Sequence, residues 1–206
     1  MPSILILSLY GFSFSSRQLY QSLLPKLLSK ANVHESITIE DAQNYISTTW
    51  PSIILVTDPA ITFEEEENRS FLESLVRWTK NGGKTILMGF FAATVQFPSL
   101  DTMFNDYFGL PWTASSYGSN DAFLVKNLNG LRSKSLSSTF YNKAVWLGNV
   151  AVEHAVYISK APLTPAYAAY APVGFGWLGY IGDVNFAEEP ENLILAMCHL
   201  DDDVET

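Results

Sequence analysis

Two patterns of hydrophobic residues alternate along residues 1–110: short continuous apolar runs, and longer segments in which apolar residues recur at helical spacing. The runs 3–9, 52–58 and 84–89 are almost continuously apolar, which is typical of strands buried on both faces of a sheet. Between them, apolar residues recur at helical spacing, as in the stripe to which Phe71 and Leu75 belong. Because strands and helices take turns, the pattern predicts a parallel, doubly wound sheet.

Proline and capping residues predict where the helices of this region begin. The first helix is expected to start near residue 16, and Pro25 is expected to kink it or split it in two. Thr62 is followed three residues later by Glu65, which matches a capping box. Thr62 is therefore predicted to be the N-cap of the helix that ends at 81–83.

The pattern changes after residue 110, where strand-like segments follow one another with few helices between them. These segments are 121–127, 143–150, 154–159, 166–173 and 177–185. They predict an antiparallel extension of the parallel sheet, followed by a last helix at 190–200. With no linker or repeat in the sequence, we expect one domain over 1–206.

Composition and charge narrow the classes of function. Of the 206 residues, 48% are hydrophobic and 16% are charged, which indicates a large core. The formal net charge is −9 and the 12 basic residues are scattered, so no nucleic-acid partner is expected. No apolar run approaches the ~20 residues of a membrane helix, so no membrane association is expected either. The single cysteine, Cys198, indicates a reducing compartment, and a cytoplasmic location is expected.

Three features that resemble functional motifs are interpreted as structural. The segment 174–179 matches the glycine spacing of a dinucleotide-binding loop, but a strand follows it, which favours a glycine-rich hairpin turn and no cofactor. His34, His154 and His199 lack the spacing of zinc ligands, so no metal is expected. Cys198 lies among core residues of the last helix, where a buried, inert thiol is expected.

The ends of the predicted parallel strands supply the candidate site, because ligands of open α/β sheets bind beyond the carboxyl ends of strands. Candidate catalytic residues are Asp58 and Asp183. Candidate ligand-binding residues are Tyr10, Ser13, Phe90, Phe91, Tyr117 and Asn185. The alternative, that Asp58 and Asp183 only cap loops, stays open at this point.

Three segments resemble the class I glutamine amidotransferase-like superfamily, especially its ThuA-like members and fungal proteins of that type. They are 78–91 (W-x3-GGK-x-ILMGFF), 103–112 and 174–185. The resemblance implies a flavodoxin-like three-layer α/β/α sandwich with a mostly parallel sheet and an antiparallel extension. It also implies that Phe91 replaces the nucleophilic cysteine and Asp183 a histidine, so glutaminase activity is not expected.

Two functions remain open from the sequence. The first is a non-glutaminase protein that binds or transforms an apolar or aromatic small molecule in the strand-end crevice, including an acid–base enzyme of secondary metabolism. The second is a catalytically inactive scaffold or homodimer-forming interaction protein. Because successive residues leaving a strand face opposite sides, one of Phe90 and Phe91 is expected to fill the core and the other to line the crevice. By analogy with the nucleophile that Phe91 replaces in the resemblance, Phe91 is expected to line the crevice.

Overall fold

A computed structural model describes residues 1–16, 19–126, 128–131 and 135–201. Expectations for residues 17, 18, 127 and 202–206 lie outside the described residues. The strands are β1 (Ser3–Leu7), β2 (Asn32–Ser36), β3 (Ile53–Val56), β4 (Lys84–Leu87), β5 (Thr113–Leu124), β6 (Thr139–Gly148), β7 (Ala155–Ile158), β8 (Ala166–Val173) and β9 (Gly176–Ile181). The α-helices are α1 (Leu23–Lys30), α2 (Ile39–Thr49), α3 (Glu66–Lys80), α4 (Phe90–Thr94), α5 (Phe97–Thr102) and α6 (Glu188–Met197). A 3₁₀ turn spans Pro59–Thr62 and a π-helix spans Met103–Phe108.

All of these strands belong to one sheet with the order β2-β1-β3-β4-β9-β8-β6-β5-β7. The strands from β2 to β9 in this order pair in parallel. Every pairing beyond β9 is antiparallel, and β7 pairs with β8 as well as with β5. The strands β8, β6, β5 and β7 therefore close an antiparallel ring.

This closed ring corrects the expected fold class. A flavodoxin-like sandwich with a mostly parallel sheet is wrong, because antiparallel pairings make up the larger part of the sheet and close into a barrel. The error has a physical source. The polar strand β5, from Thr113 to Leu124, carries no apolar run before residue 121, and its pairing partners are set by contacts that its own pattern does not encode.

Both faces of the parallel strands are covered. Along β1, Leu5 and Leu7 enter the core that contains the inner faces of α2, α3 and α5. Ile4 and Ile6 enter the opposite core, between the sheet and the helices α1 and α6. Each fully buried aliphatic side chain contributes about 1.5–3 kcal/mol to the free energy of folding, which is why the continuous apolar runs form these strands.

The helix α1 begins at Leu23 rather than near residue 16. Pro25 consequently lies in the first turn, where its missing N–H has no acceptor within the helix, so Pro25 neither kinks nor splits the helix. The expected interruption at Pro25 is wrong.

The predicted capping box at Thr62 is also wrong. The Thr62 hydroxyl donates to the Pro59 carbonyl at 2.8 Å within the 3₁₀ turn, and α3 begins later, with Glu65 as its N-cap. The interpretation of 174–179 as a hairpin turn is confirmed, because Val173 pairs with Gly176 across the β8–β9 turn. Along the described residues, no helix is long and apolar enough to cross a membrane.

Candidate ligand site

The loops beyond the carboxyl ends of β1 and β3 are joined by Asp58. One carboxylate oxygen of Asp58 accepts from the amide of Ala60 at 3.1 Å, which caps the 3₁₀ turn. The other accepts from the amide of Tyr10 at 3.0 Å. Because its two oxygens bind different loops, the Asp58 carboxylate fixes the relative position of these loops. The side chain is only 5% exposed.

Asp183, beyond the end of β9, is completely buried and accepts four hydrogen bonds. The donors are the Tyr20 hydroxyl at 2.9 Å, the Asn142 side-chain amide at 2.9 Å, and the backbone amides of Asn185 at 3.1 Å and Phe186 at 2.8 Å. Burial raises the pKa of Asp183 above its usual value, and the four hydrogen bonds oppose that effect. Burial also raises the pKa of Tyr20, and the neighbouring Asp183 adds to the increase.

The contacts of the two candidate catalytic carboxylates match the loop-capping alternative. A general base needs an oxygen within hydrogen-bond reach of its substrate. In Asp58 and Asp183 both oxygens already accept from the protein's own loops. Their assignment to catalysis remains a prediction that these contacts do not favour.

The positions of Phe90 and Phe91 are the reverse of the expected ones. Phe91 is fully buried in the core beneath α2, α3 and α5, whereas Phe90 is half-buried and its ring lies 5.2 Å from that of Phe186. The chain turns at Gly89, where φ is 68°, and α4 begins at once. Successive residues therefore follow the helical rotation rather than the alternation of a strand.

The other predicted site residues fall into separate places. Tyr10 is exposed and its ring lies 5.7 Å from that of Phe63. Ser13 donates to Glu35 at 2.8 Å, and Asn185 donates to Asn142 at 2.7 Å. The structure thus brings Tyr10 to Asp58 and Asn185 to Asp183.

Tyr117 belongs to neither group, because it lies on the exposed side of β5. The Lys143 ammonium sits 4.7 Å above the centroid of its ring.

Glu35 is a strand-end carboxylate that the sequence reasoning missed. It accepts from the Ser8 hydroxyl at 2.7 Å, the Ser13 hydroxyl at 2.8 Å and the Phe14 amide at 2.5 Å. Partial burial on its own raises the pKa of Glu35, but the hydrogen bonds from Ser8, Ser15, Ser13 and Phe14 outweigh it and lower the pKa. Glu35 is the next-to-last residue of β2, and the alternating pattern of the sequence continues beyond it to residue 40, so the sequence did not place Glu35 near a strand end.

An open cleft of about 250 Å³ lies beyond the carboxyl ends of β3 and β4. Its walls come from the 3₁₀ turn, the beginning of α3, α5 and the π-helix. The lining residues are Ile61, Thr62, Phe63, Glu64, Arg69, Leu72, Pro98, Ser99, Thr102, Met103 and Tyr107. The π-helix, a rare element that is frequent at functional sites, supplies two of these side chains, Met103 and Tyr107.

Arg69 is the cationic residue of this cleft, and Glu64 is the anionic one. The Arg69 side chain is exposed and forms no ion pair with any residue that the structure describes. Four hydroxyl groups belong to the lining, those of Thr62, Ser99, Thr102 and Tyr107, whereas Ile61, Phe63, Leu72, Pro98 and Met103 are apolar. The cleft therefore offers an apolar surface with one available guanidinium group.

The metal-ligating residue types do not cluster. Within the described ranges, no group of three or more His, Cys, Asp or Glu side chains is close enough to hold a metal ion. Cys198 is buried as expected, and burial raises the pKa of its thiol to about 12, so it remains a thiol at neutral pH.

No protein-family model and no curated protein matches the chain. Solved structures resemble it at low sequence identity. The β-galactosidase from Bacillus circulans sp. alkalophilus is 14% identical, with a TM-score of 0.52 over 95% of this chain and 30% of that one. The β-galactosidase from the Antarctic haloarchaeon Halorubrum lacusprofundi is 12% identical, with a TM-score of 0.54 over 95% and 30%. The β-galactosidase from Rahnella sp. R3 is 13% identical, with a TM-score of 0.52 over 100% and 32%.

These likenesses show a shared fold, and the chain spans about a third of the length of the structures it matches. They also correct the resemblance drawn from the sequence. The assignment to the class I glutamine amidotransferase-like superfamily, its ThuA-like members and the flavodoxin-like fold is wrong, since the matching structures are β-galactosidases. The segments that carried the assignment contain the buried strand β4, the π-helix whose C-cap is Gly109, and the β8–β9 hairpin. Buried strands and hairpins of this kind occur in many folds, so they do not identify a family.

Proposed function

We propose that this protein is a non-catalytic binding domain for a small aromatic carboxylate, held in the cleft between the 3₁₀ turn, α3, α5 and the π-helix. The observation that carries the proposal is the position of Arg69 in an otherwise largely apolar cleft at the carboxyl edge of the parallel strands. Clefts of this kind, with apolar walls and a few polar groups, are the usual sites of small ligands.

The chemistry of the lining selects the class of ligand. Phe63, Met103 and Tyr107 provide a soft and aromatic surface for a ring. The guanidinium group of Arg69 matches the planar, bidentate geometry of a carboxylate. A volume of about 250 Å³ suits a ligand with a single ring and a short acidic chain.

The contacts of the candidate catalytic carboxylates favour binding without catalysis. Hydrolysis of a glycosidic bond uses two carboxyl groups that flank the bond, and acid–base chemistry in general needs a group that reaches the substrate. Asp58 and Asp183 are engaged with their own loops, and neither lines the cleft. The one carboxylate of the lining is Glu64, whereas hydrolysis of a glycosidic bond uses a pair. The β-galactosidases that share the fold match over only a third of their length, which is compatible with a role outside hydrolysis. The cytoplasmic location inferred from the single cysteine is part of this proposal.

Isothermal titration with cinnamate tests the proposal, and cinnamyl alcohol serves as the neutral probe. Replacing Arg69 with Gln should weaken cinnamate binding by about 10- to 100-fold, the usual range for a charged hydrogen-bonded pair. Binding of cinnamyl alcohol should change little. The matched control is Arg77→Gln, which removes a charge from α3 outside the cleft and should leave cinnamate binding unchanged.

A second variant separates this cleft from other places where cinnamate could bind. Ser99→Trp fills the cleft with an indole ring and should abolish binding of both probes. If wild-type protein does not bind cinnamate, or if Ser99→Trp binds it as well as wild type does, the proposal is wrong.

The homodimer alternative has one observation in its favour. On the β5–β6 hairpin, Tyr117, Tyr141 and Lys143 lie on one exposed face, since the pairs Tyr117/Val145, Ser119/Lys143 and Asp121/Tyr141 are directly opposed. Tyrosines are enriched at protein interfaces. Light scattering after gel filtration tests it: a dimer that Tyr141→Ser dissociates supports this alternative, and a monomer at all concentrations rejects it.

A further inference from the structure

A second groove, separate from the strand-end cleft, runs between α2 and α3 and has a volume of about 290 Å³. Its lining residues recur at helical spacing on the facing sides of the two helices. From α2 and its C-cap come Gln43, Ile46, Ser47 and Trp50, and from α3 and its C-cap come Phe71, Ser74, Arg77, Trp78 and Asn81.

Trp50 is the unusual residue of this groove. It is the C-cap of α2 and has left-handed backbone angles, φ 49° and ψ 69°, a conformation in which glycine or asparagine is the common choice. Its side chain is nevertheless 56% exposed, so packing does not compensate for the strained backbone. Strain retained at an exposed aromatic residue points to function.

The floor of the groove contains a buried donor without an acceptor. Trp78 is 2% exposed, and its indole N–H finds no hydrogen-bond partner among the described residues. Buried polar groups are nearly always satisfied by protein, water or ligand. Because the indole nitrogen itself has almost no exposed surface, a molecule seated in the groove would contact the ring of Trp78 and not its N–H.

The rim of the groove is polar, and Arg77 carries its one charge. Two carboxamides, Gln43 and Asn81, and two hydroxyls, Ser47 and Ser74, surround the aromatic surface, and the lining contains no carboxylate. Arg77 adds donors that point in a fixed fork. A purely apolar ligand would leave these groups unpaired, and a cationic ligand would find no counter-ion.

We infer that this groove binds a neutral pyranose sugar. The C–H face of a pyranose ring is apolar and would lie on the exposed indole of Trp50. The hydroxyls on its edge would pair with the exposed carboxamides of Gln43 and Asn81 and with Arg77. One molecule of this class thus uses both the aromatic surface and the polar rim.

Saturation-transfer NMR with methyl β-D-galactopyranoside, methyl β-D-glucopyranoside and methyl β-D-mannopyranoside tests this inference. We expect transfer to the ring protons of at least one glycoside. Trp50→Asn should weaken that binding at least tenfold while the fold is kept, because asparagine tolerates left-handed backbone angles. The matched control is Phe175→Asn, which removes another exposed aromatic ring, at the β8–β9 turn, and should leave glycoside binding unchanged.

A variant of the strand-end cleft and a set of contradicting outcomes complete the test. Arg69→Gln, in the strand-end cleft, should not alter glycoside binding, so failure at one site is distinguishable from failure at the other. The inference is overturned if none of the three glycosides receives transfer, or if Trp50→Asn binds as wild type does. It is also overturned if inorganic sulfate displaces the sugar in wild type but not in Arg77→Gln, since the groove would then be an anion site.

Discussion

At the scale of single residues, the sequence predicted where Asp58 and Asp183 lie but did not decide which groups their side chains contact. The position of Asp58 and Asp183 at strand ends was predictable, because the strands they follow are continuous apolar runs. Their capping role was only one of two open alternatives, since the choice depends on where the amides of Tyr10 and Phe186 lie after folding. The orientations of Phe90 and Phe91 were missed for a local reason, the immediate start of α4 after Gly89.

The adjacent phenylalanines should therefore differ in their effect on stability. Phe91→Ala removes a fully buried ring and should lower the free energy of unfolding by about 3–5 kcal/mol. Phe90→Ala, at a half-buried position, should cost much less. Urea denaturation of the two variants and wild type measures the difference, and equal losses would contradict the burial of Phe91.

Glu35 and Asp183 should give stability opposite dependences on pH. The pKa of Glu35 is lowered from 4.5 in the folded state, so its stabilising contribution is complete above about pH 4.5 and is lost as the pH falls through the folded pKa. The pKa of Asp183 is raised from 3.8, so the stability linked to it is complete below that value and is lost as the pH rises through the folded pKa.

Denaturation of the amide variants across pH 3–7 checks both signs. Glu35→Gln should lose more stability relative to wild type at pH 7 than at pH 3. Asp183→Asn should lose less stability relative to wild type at pH 7 than at pH 3, because at pH 7 the wild-type protein bears the buried charge of Asp183. If both differences have the same sign, one of the two pKa directions is wrong.

At the scale of elements, the apolar pattern predicted well which strands and helices exist, and predicted poorly at which residues they begin and end. The runs 3–9, 52–58 and 84–89 contain β1, β3 and β4, because side chains on both faces of these strands are buried. The beginning of α1 was missed because a distant residue fixes it. The carboxylate of Glu191, on α6, accepts from the backbone amide of Ser22 at 3.1 Å and from the Ser22 hydroxyl, so the capping group lies far away along the chain.

Removal of this distant cap should destabilise α1. Glu191 is 3% exposed and its carboxylate also lies 3.6 Å from the Lys26 ammonium. Glu191→Ala leaves the Ser22 amide without its acceptor and should lower the free energy of unfolding by about 1–3 kcal/mol. Glu188→Ala, at an exposed position of the same helix, is the matched control and should have little effect. Thermal unfolding followed by circular dichroism distinguishes them.

At the scale of the whole molecule, strand order could not be predicted from the sequence. The late strand β9 pairs in parallel with β4, and the ring β8-β6-β5-β7 closes through the β7–β8 pairing. Such pairings depend on the combined fit of many side chains rather than on the pattern of any one strand.

The order of strands does predict the pattern of hydrogen exchange. The strand β3 is flanked by β1 and β4 and buried on both faces, so its amides should exchange among the slowest. The edge strand β2, which pairs only with β1 among the described strands, should exchange faster. Hydrogen-exchange mass spectrometry checks this, and faster exchange in β3 than in β2 would contradict the order.

The strand β8 has a consequence for how the chain can be divided. It pairs with β9 on one side and with β6 and β7 of the ring on the other, and its side chains include the buried alanines Ala168 and Ala169. The strand β9 in turn pairs with β4, so a cut near residue 110 would leave one edge of β4 and one edge of β9 without a partner. We therefore expect that neither fragment keeps its fold alone: two fragments made separately should stay unfolded or aggregate, and should recover structure only when they are refolded together.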